Sequence, residues 1–284
     1  MKQNLNLSVN IRGRLLDFHR PLVMGILNVT DDSFYGGCRA GNVDEVTRRI
    51  RAIRDEGADC IDIGACSTRP GSRPVDADTE WRRLSSALSA VRSEWRDAVV
   101  SVDTFRADIA ERCVDAGADI INDISGGLLD TDMFDTVARL RVPYVLTHMR
   151  GTPATMSGLT EYKNVTADVL TELAFRIRDL RERGVCDIIL DPGFGFAKTV
   201  EQNYELLANL GEFVKTGLPL LVGVSRKSMI WRPLGISPED ALPGTMALNA
   251  AAILAGANII RVHDVADAVQ LRDTLCLLPQ PSCT

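Results

Sequence analysis

The chain has 284 residues, 45% of them hydrophobic and 25% charged, which is enough apolar material for a large buried core. Its net charge of −6 argues against non-specific nucleic-acid binding, and no stretch approaches the roughly 20 apolar residues of a membrane span. The seven cysteines show no metal-ligand spacing and the N-terminus has no signal-peptide run, so we expect a cytoplasmic protein with free thiols.

Short apolar runs alternate with amphipathic stretches, a rhythm typical of parallel strands joined by helices. The predicted strands are Leu22–Leu27, Cys60–Ile63, Val99–Val102, Ile120–Asn122, Tyr144–Thr147, Ile188–Leu190, Leu220–Val224 and Ile259–Val262. The predicted helices are Val43–Glu56, Asp78–Glu94, Arg106–Ala116, Met133–Leu140, Val165–Arg183, Gln202–Val214, Thr245–Ala255 and Ala266–Leu277. Eight strand–helix units without a GxGxxG motif favour an α/β protein with a (β/α)8 TIM barrel over an open doubly wound sheet.

The domain organisation follows from this count. We expect one barrel domain over residues 21–278, preceded by an arm or hairpin at residues 1–20 that closes the lower end of the barrel. Residues 279–284 are expected to fray. Two long segments rich in Gly, Ser, Thr and Pro, at residues 30–42 and 65–79, follow the first two strands and are candidates for mobile catalytic loops.

Polar side chains stand at the strand ends, where this fold carries its active site. Asp103, Asn122 and Asp191 end three strands, and together they can accept and donate hydrogen bonds to a flat nitrogen-rich ring. Any one of them could instead make a structural hydrogen bond at the rim. Lys227, in the SRKS segment, is expected to reach the same end of the barrel, and Phe194 or Phe196 could form one side of the pocket there.

A second group of strand-end residues is suited to anions. Asn28, Arg261 and His263 end the first and last strands, which are neighbours in a closed barrel. An arginine, a histidine and an amide form a suitable grip for phosphate or pyrophosphate, and the oxygen of Asn28 could also coordinate Mg²⁺. Asp62 and His148 also lie near strand ends, but the sequence assigns them no role.

Eight longer motifs carry a family resemblance. GILNVTDDSF, DIGACSTRPGS, SVDTF, INDISGG, HMRGTPATM, DPGFGFAKT, GVSRKSMI and RVHDV occur in this order from about residue 22 to residue 270. Together they resemble monofunctional bacterial dihydropteroate synthases, with VGVSRKSMI and DSFY similar to the Bacteroides type. These transferases of folate biosynthesis join 6-hydroxymethyl-7,8-dihydropterin pyrophosphate to p-aminobenzoate and release 7,8-dihydropteroate and pyrophosphate.

The resemblance implies a division of the site. The pterin would be held by Asp103, Asn122, Asp191 and Lys227 and lined by Ile124, Met149 and Phe196. Pyrophosphate would be held by Asn28, Arg261 and His263, with Asn28 helping to bind Mg²⁺. The p-aminobenzoate site, which sulfonamides would occupy, would be framed by Phe34, Thr68, Arg69, Pro70, Lys227 and Ser228. The residues expected to act in catalysis are Asp103, Asp191, Lys227, Arg261 and His263.

The resemblance further implies a homodimer, for which the apolar helices Thr245–Ala255 and Ala266–Leu278 are candidate surfaces. The chain departs from the family pattern in both loops. Asp31 replaces a proline and Gly36 replaces an acid in loop one, while Ala65 and Cys66 replace Gly and Glu in loop two. These changes bear on rate and sulfonamide resistance. They leave open a catalytically silent paralogue, and a pterin-binding methyltransferase domain is a further alternative, although it would not need the STRPG and SRKS segments.

Overall fold

An antiparallel hairpin precedes eight parallel strands that form a nearly closed barrel. The computed structural model describes residues 7–29, 39–66 and 75–279, with backbone alone for residues 39–43. The strands are β1 (Ser8–Ile11), β2 (Arg14–Asp17), β3 (Leu22–Asn28), β4 (Cys60–Gly64), β5 (Val99–Asp103), β6 (Ile120–Asp123), β7 (Tyr144–Thr147), β8 (Ile188–Asp191), β9 (Leu221–Val222) and β10 (Ile259–Val262). Strands β3 to β8 pair in chain order, β10 pairs with β3 and β9, and a parallel bridge between Leu190 and Leu220 completes the ring. The predicted (β/α)8 barrel is confirmed.

Helices surround the barrel. They are α1 (Arg39–Asp55), α2 (Ala77–Glu94), α3 (Ala107–Asp115), α4 (Met133–Leu140), α5 (Val165–Glu182), α6 (Val200–Ala208), α7 (Leu210–Val214), α8 (Ser228–Leu234), α9 (Leu242–Leu254) and α10 (Val265–Cys276). Short 3₁₀ turns cover Met156–Gly158 and Glu239–Ala241. In the described part of the chain, no helix combines the length and apolarity needed to cross a membrane.

The alternation of side chains along each strand divides the core into layers. On β3, Val23 and Leu27 pack outward against Ile50 and Ile53 of α1. Met24 points into the barrel instead. This alternation continues to the upper end of the strand, so that the side chain of Asn28 opens into the mouth of the barrel.

The hairpin covers the opposite end of the barrel. Val9, Ile11 and Phe18 pack against the interior residues at the beginnings of the strands, such as Ile120 and Ile259. The lower end is therefore filled by apolar side chains, and the polar residues at the strand ends lie at the opposite, C-terminal mouth.

The structure departs from the predicted elements mainly after β8. The strand predicted at Leu220–Val224 has only two ladder residues, because Asn258 takes the Leu220 N–H through its side chain at 2.9 Å and Arg261 packs over Gly223. The helix predicted at Gln202–Val214 is divided into α6 and α7 at Asn209. Helix α8, which ends at the left-handed Gly235, was not predicted.

Candidate active site

Polar residues at the ends of neighbouring strands lie side by side at the mouth. Asn28 on β3 pairs with Gly64 on β4, Gly64 pairs with Asp103 on β5, and Asp103 pairs with Asn122 on β6. Gly64 leaves a gap between two oxygens, since a Cβ there would lie 3.5 Å from Asn28 Oδ1 and 3.7 Å from Asp103 Oδ2. The structure thus brings together the three residues that end these strands.

Asp62, to which the sequence assigned no role, links this row to the last strand. Its Oδ2 accepts from Asn122 Nδ2 at 3.0 Å and from Arg261 Nη1 at 2.8 Å, and its Oδ1 accepts from Ser101 Oγ at 2.7 Å. Asp62 is only 3% exposed. Because three donors converge on one buried carboxylate, Asp62 fixes the orientation of both Asn122 and Arg261.

Arg261 reaches the mouth from β10 and lies between two carboxylates, with Nη1 3.9 Å from Asp103 Oδ2. Burial disfavours its charged form, but Asp62 and Asp103 outweigh burial and raise the pKa of Arg261. Its buried Nε has no hydrogen-bond partner among the described residues, and a Cβ at Gly223 would lie 3.3 Å from that atom. A charged group with an unpartnered buried donor is suited to binding an anion.

Asp103 lies in an environment that opposes ionisation. Burial, the nearby charge of Asp62 and more distant carboxylates raise the pKa of Asp103 well above its usual range, although Arg261 acts in the opposite direction. In the free protein this carboxyl is therefore held toward its neutral form. A ligand that brings N–H donors or positive charge would favour the ionised form.

Lys227 and the loop after β8 form one side of the mouth. Lys227 Nζ donates to the carbonyl of Phe194 and lies 4.9 Å from the ring centre of Phe196. Burial lowers the pKa of Lys227 to about 8, against the opposing effect of Asp191. Asp191 Oδ1 accepts from Gly193 N at 2.8 Å, which holds the start of the loop.

An apolar wall stands beside these groups. Ile124, Met149 and Phe196, which the resemblance assigns to the pterin pocket, form one buried cluster together with Met156 and Ala197. Ile124 follows β6, Met149 follows β7 and Phe196 follows β8, so three successive loops supply the wall. Flat apolar surfaces next to hydrogen-bonding groups are typical of small-molecule pockets.

His263 lines a cavity of about 340 Å³ between the mouth and α1, together with Asn28 and Arg49. His263 Nδ1 lies 2.9 Å from Ser225 Oγ, and its carbonyl accepts from Arg49 Nη2. Burial lowers the pKa of His263 to about 4. The ring is therefore neutral in the free protein. The sequence did not predict Ser225 or Arg49 as site residues, because each contacts His263 from a distant segment of the chain.

His148 lies fully buried beneath the apolar wall. Its Nε2 is 3.0 Å from Glu172 Oε2 and its Nδ1 is 3.1 Å from Lys198 Nζ. Burial and Lys198 lower the pKa of His148 to about 4, so the ring is neutral. Lys198 was part of a sequence motif but received no role, because its partner His148 lies 50 residues earlier.

The expected p-aminobenzoate site is described only in part. Ser228 begins α8 directly after Lys227 and is half-buried. Phe34, Thr68, Arg69 and Pro70 lie outside the described residues, as do the altered loop-one positions Asp31 and Gly36.

The altered start of loop two is described, and it is anchored on α2. The carbonyl of Ala65 accepts from Arg83 Nη1 at 2.8 Å. Burial, with a smaller effect of Glu80, raises the pKa of the Cys66 thiol to about 12. A thiol with so high a pKa is poorly suited to act as a nucleophile near neutral pH.

Comparisons with known proteins agree with this geometry. The family described as pterin binding enzyme matches residues 24–263. Dihydropteroate synthase of Clostridium beijerinckii is 41% identical over 249 residues, covering 87% of this chain and 90% of that protein, and the Escherichia coli enzyme is 39% identical over 261 residues, covering 91% and 92%. The mitochondrial folate synthesis bifunctional protein of Arabidopsis thaliana is 41% identical, and the chain spans 51% of its length.

Solved structures give the same result. The Yersinia pestis dihydropteroate synthase with a sulfonamide drug complex superposes with a TM-score of 0.88 at 38% identity, covering 95% of this chain and 98% of that one. The Xanthomonas albilineans enzyme with 4-aminobenzoic acid also has a TM-score of 0.88, at 36% identity, covering 97% and 100%. None of these matches distinguishes a Bacteroides-type subgroup, which stays a prediction. The chain belongs to the pterin binding enzyme family, and its relatives there are dihydropteroate synthases.

Proposed function

We propose that this chain is a transferase that catalyses the dihydropteroate synthase reaction of folate biosynthesis. The C–O bond between pyrophosphate and the methylene group of the dihydropterin breaks, a C–N bond to p-aminobenzoate forms, and the amine loses a proton. One observation carries the proposal: hydrogen-bonding groups suited to a nitrogen-rich ring lie directly beside Arg261, whose buried Nε has no partner in the described residues. The relatives support it, since one solved relative carries a sulfonamide drug complex and another carries 4-aminobenzoic acid.

The pterin end of the reaction depends on positioning and charge. Asn122 and Asp191 would bind the ring edge, while Phe196 and Met149 cover its face. Departure of pyrophosphate leaves a positive charge that is delocalised into the dihydropterin, and Asp103 and Asp191 would stabilise it. The displacement is therefore expected to be dissociative, and no enzyme nucleophile is required.

The leaving-group end depends on cations and donors. Arg261 would donate from Nε and His263 from its imidazole, while Asn28 contributes its amide. Because His263 is neutral in the free protein, the arrival of a pyrophosphate would raise its pKa and favour the charged form. Arg49, which lines the same cavity, adds positive charge there.

The residues at this end also fit a Mg²⁺ ion. Asn28 Oδ1 and a carboxylate oxygen of Asp103 face each other across Gly64, and hard oxygen ligands of this kind suit Mg²⁺ when phosphate and water complete the shell. Asn28 would hold the ion, which when bound would neutralise part of the pyrophosphate charge. Asn28→Ala should then raise the Mg²⁺ concentration needed for half-maximal turnover, and an unchanged requirement would contradict this role.

A direct assay tests the function. Purified chain should form dihydropteroate and pyrophosphate from the pterin substrate and p-aminobenzoate, and sulfamethoxazole should compete with p-aminobenzoate. Asp191→Asn and Lys227→Ala should each reduce kcat/KM about a hundredfold through the loss of charge complementarity. Lys215→Ala, on the surface, serves as the control. Failure to form dihydropteroate from the two substrates would refute the assignment.

The two alternatives predict different outcomes. A silent paralogue would fail to restore growth of a synthase-deficient bacterium without folate end-products. A methyltransferase domain would bind a methylated folate and show no requirement for p-aminobenzoate. A cytoplasmic location stays a prediction, which the five free thiols of the described residues support.

We also propose a homodimer that uses α9 and α10. These helices pack together, and large apolar residues are exposed at their C-terminal ends: Leu254 of α9 at 51%, and Leu277 and Leu278, which directly follow α10, at 85% and 51%. Apolar patches of this kind commonly mark interfaces. Leu277→Asp should shift the sedimentation coefficient toward a monomer, whereas Leu15→Asp, on the hairpin, should not. A wild-type chain that sediments as a monomer at micromolar concentration would refute the proposal.

A further inference from the structure

The loop that carries Phe196 has an unusual backbone. Gly193, Gly195 and Ala197 have φ values of 73°, 80° and 51°, so every second residue lies in the left-handed region. A glycine adopts this region freely, but an alanine does so at a cost of about 1 kcal/mol or more. Such a loop keeps one conformation only if surrounding groups hold it.

Lys198 is one of the groups that hold this loop. Its Nζ lies 2.9 Å from the carbonyl oxygen of Gly193, 3.0 Å from that of Phe196 and 3.1 Å from Nδ1 of His148. An ammonium group has three N–H donors, and here each has an acceptor. Because Lys198 can only donate to His148, the neutral imidazole carries its proton on Nε2 and donates it to Glu172.

The partners of Lys198 connect two walls of the pocket. Gly193 packs directly on the backbone just after β7, since a Cβ there would lie 1.9 Å from the carbonyl oxygen of His148. Glu172 of α5 holds His148 and is itself held by Arg150, whose Nε lies 3.0 Å from Glu172 Oε1. The chain of contacts therefore runs from α5 through His148 to the loop after β8.

We propose that Lys198 is a positioning residue for pterin binding: it holds the loop of residues 192–198 against His148 and so places Phe196 and Lys227. Lys227 donates to the carbonyl of Phe194 and lies across Gly195, where a Cβ would be 3.2 Å from Lys227 Cδ. The two lysines thus hold carbonyl groups of the same short loop. If the hydrogen bonds of Lys198 are lost, Phe196 and the ammonium group of Lys227 are no longer held in place by the same loop conformation.

The proton on Lys198 makes this support sensitive to pH. Burial lowers the pKa of Lys198 to about 7. Asp191 and Glu172 face it and act in the opposite direction, whereas Lys227 and Arg150 add to the lowering, and His148 is neutral. Loss of the proton would remove one of the three donors, so the affinity for the pterin should fall as the pH rises through neutrality.

The test rests on the proposed function and compares two probes. Isothermal titration would measure the binding of dihydropterin pyrophosphate, without p-aminobenzoate, and of inorganic pyrophosphate between pH 6.0 and 8.5. Lys198→Met should weaken pterin binding about tenfold at pH 6.0, the factor that corresponds to roughly one lost charged hydrogen bond. Pyrophosphate binding should stay within about twofold of wild type, because its residues lie at the other end of the mouth. Lys215→Met, which removes an exposed lysine paired with Glu212, is the matched control.

Each outcome decides a separate point. A wild-type affinity for the pterin that does not change between pH 6.0 and 8.5 would overturn the pH sensitivity of this support without any variant. Equal pterin affinity in Lys198→Met and wild type, or equal losses for both probes, would overturn the positioning role of Lys198. A wild-type chain that binds pyrophosphate but not the pterin substrate would contradict the proposed function instead.

Discussion

Replacing Asp62 tests whether the buried carboxylate holds the site together through its charge. The two donors Arg261 Nη1 and Asn122 Nδ2 share Oδ2 of Asp62, while Ser101 donates to Oδ1. In Asp62→Asn the amide oxygen can occupy the Oδ2 position, and the amide NH₂ can donate to Ser101, whose hydroxyl can also accept. All three contacts survive, so this substitution removes the charge and little else.

The expected stability losses follow from this geometry. Asp62→Ala leaves a buried guanidinium without its nearest carboxylate and leaves Asn122 without an acceptor, a loss of about 3–5 kcal/mol. Asp62→Asn should cost only about 2 kcal/mol, because hydrogen bonds to a charged partner become neutral ones and Asp103 can replace part of the charge. Asp103 lies 3.9 Å from Arg261. The charge of Asp62 helps to raise the pKa of Asp103, so removing that charge favours the ionised form of Asp103.

Urea unfolding at pH 7 measures both losses, with Asp55→Ala as the control. Asp55 is 64% exposed and pairs only with its neighbour Arg54 among the described residues, so its removal should leave the midpoint unchanged. If Asp62→Asn loses as much stability as Asp62→Ala, Asp103 does not take over the charge. If Asp62→Ala is as stable as the control, the buried pair does not support the fold.

Three further predictions concern other sites. Gly193→Ala should cost about 3 kcal/mol or more in urea unfolding, since its Cβ would meet the His148 carbonyl oxygen at 1.9 Å, whereas Gly211→Ala, with open space around the Cβ position, should not destabilise the chain. Because the pKa of His148 is lowered to about 4, the unfolded state binds more protons between pH 6.5 and 4, and stability should fall by up to about 3 kcal/mol on acidification through that window. His148→Gln should flatten that pH dependence, and an unchanged slope would exclude His148 as its source. The buried amide of Asn249 has no hydrogen-bond partner in the described chain. Asn249→Leu should therefore stabilise the protein by about 1 kcal/mol in thermal melts, and a lower midpoint would indicate that the amide has a partner.

The strands were predictable where local pattern decides them. Tyr144–Thr147 and Ile259–Val262 have the predicted bounds, because each is a short segment dominated by apolar and β-branched residues, one beginning after Pro143 and the other ending before His263. The strand predicted at Leu220–Val224 was too long. Its last residues leave the sheet where the side chain of Arg261, from a later strand, packs over Gly223. The alternation of apolar and polar residues along a strand contains no information about such a contact.

The site shows the same division between local and distant information. Strand-end position placed Asn28, Asp103 and Asn122 correctly at one rim, because parallel strands of a barrel all end at the same side. The role of Asp62 depends on Arg261, 199 residues away, and that of Lys198 depends on His148. These supporting contacts form only when the ring closes, so a motif can show that a residue is present but not what it holds.

The charges of the free site explain why it would favour both halves of one substrate together. Arg261 is balanced by Asp62 while Asp103 is held toward its neutral form, so these three groups together are close to neutral before a ligand enters. A pyrophosphate on Arg261 would weaken the attraction that this cation exerts on Asp103, and alone it would push the Asp103 pKa still higher. The N–H donors of a pterin ring act in the opposite direction and favour the ionised carboxylate. In a ligand that carries both groups, the pterin ring favours the ionisation of Asp103 that the pyrophosphate opposes. With either fragment alone, the charges of Asp62, Asp103 and Arg261 are not matched.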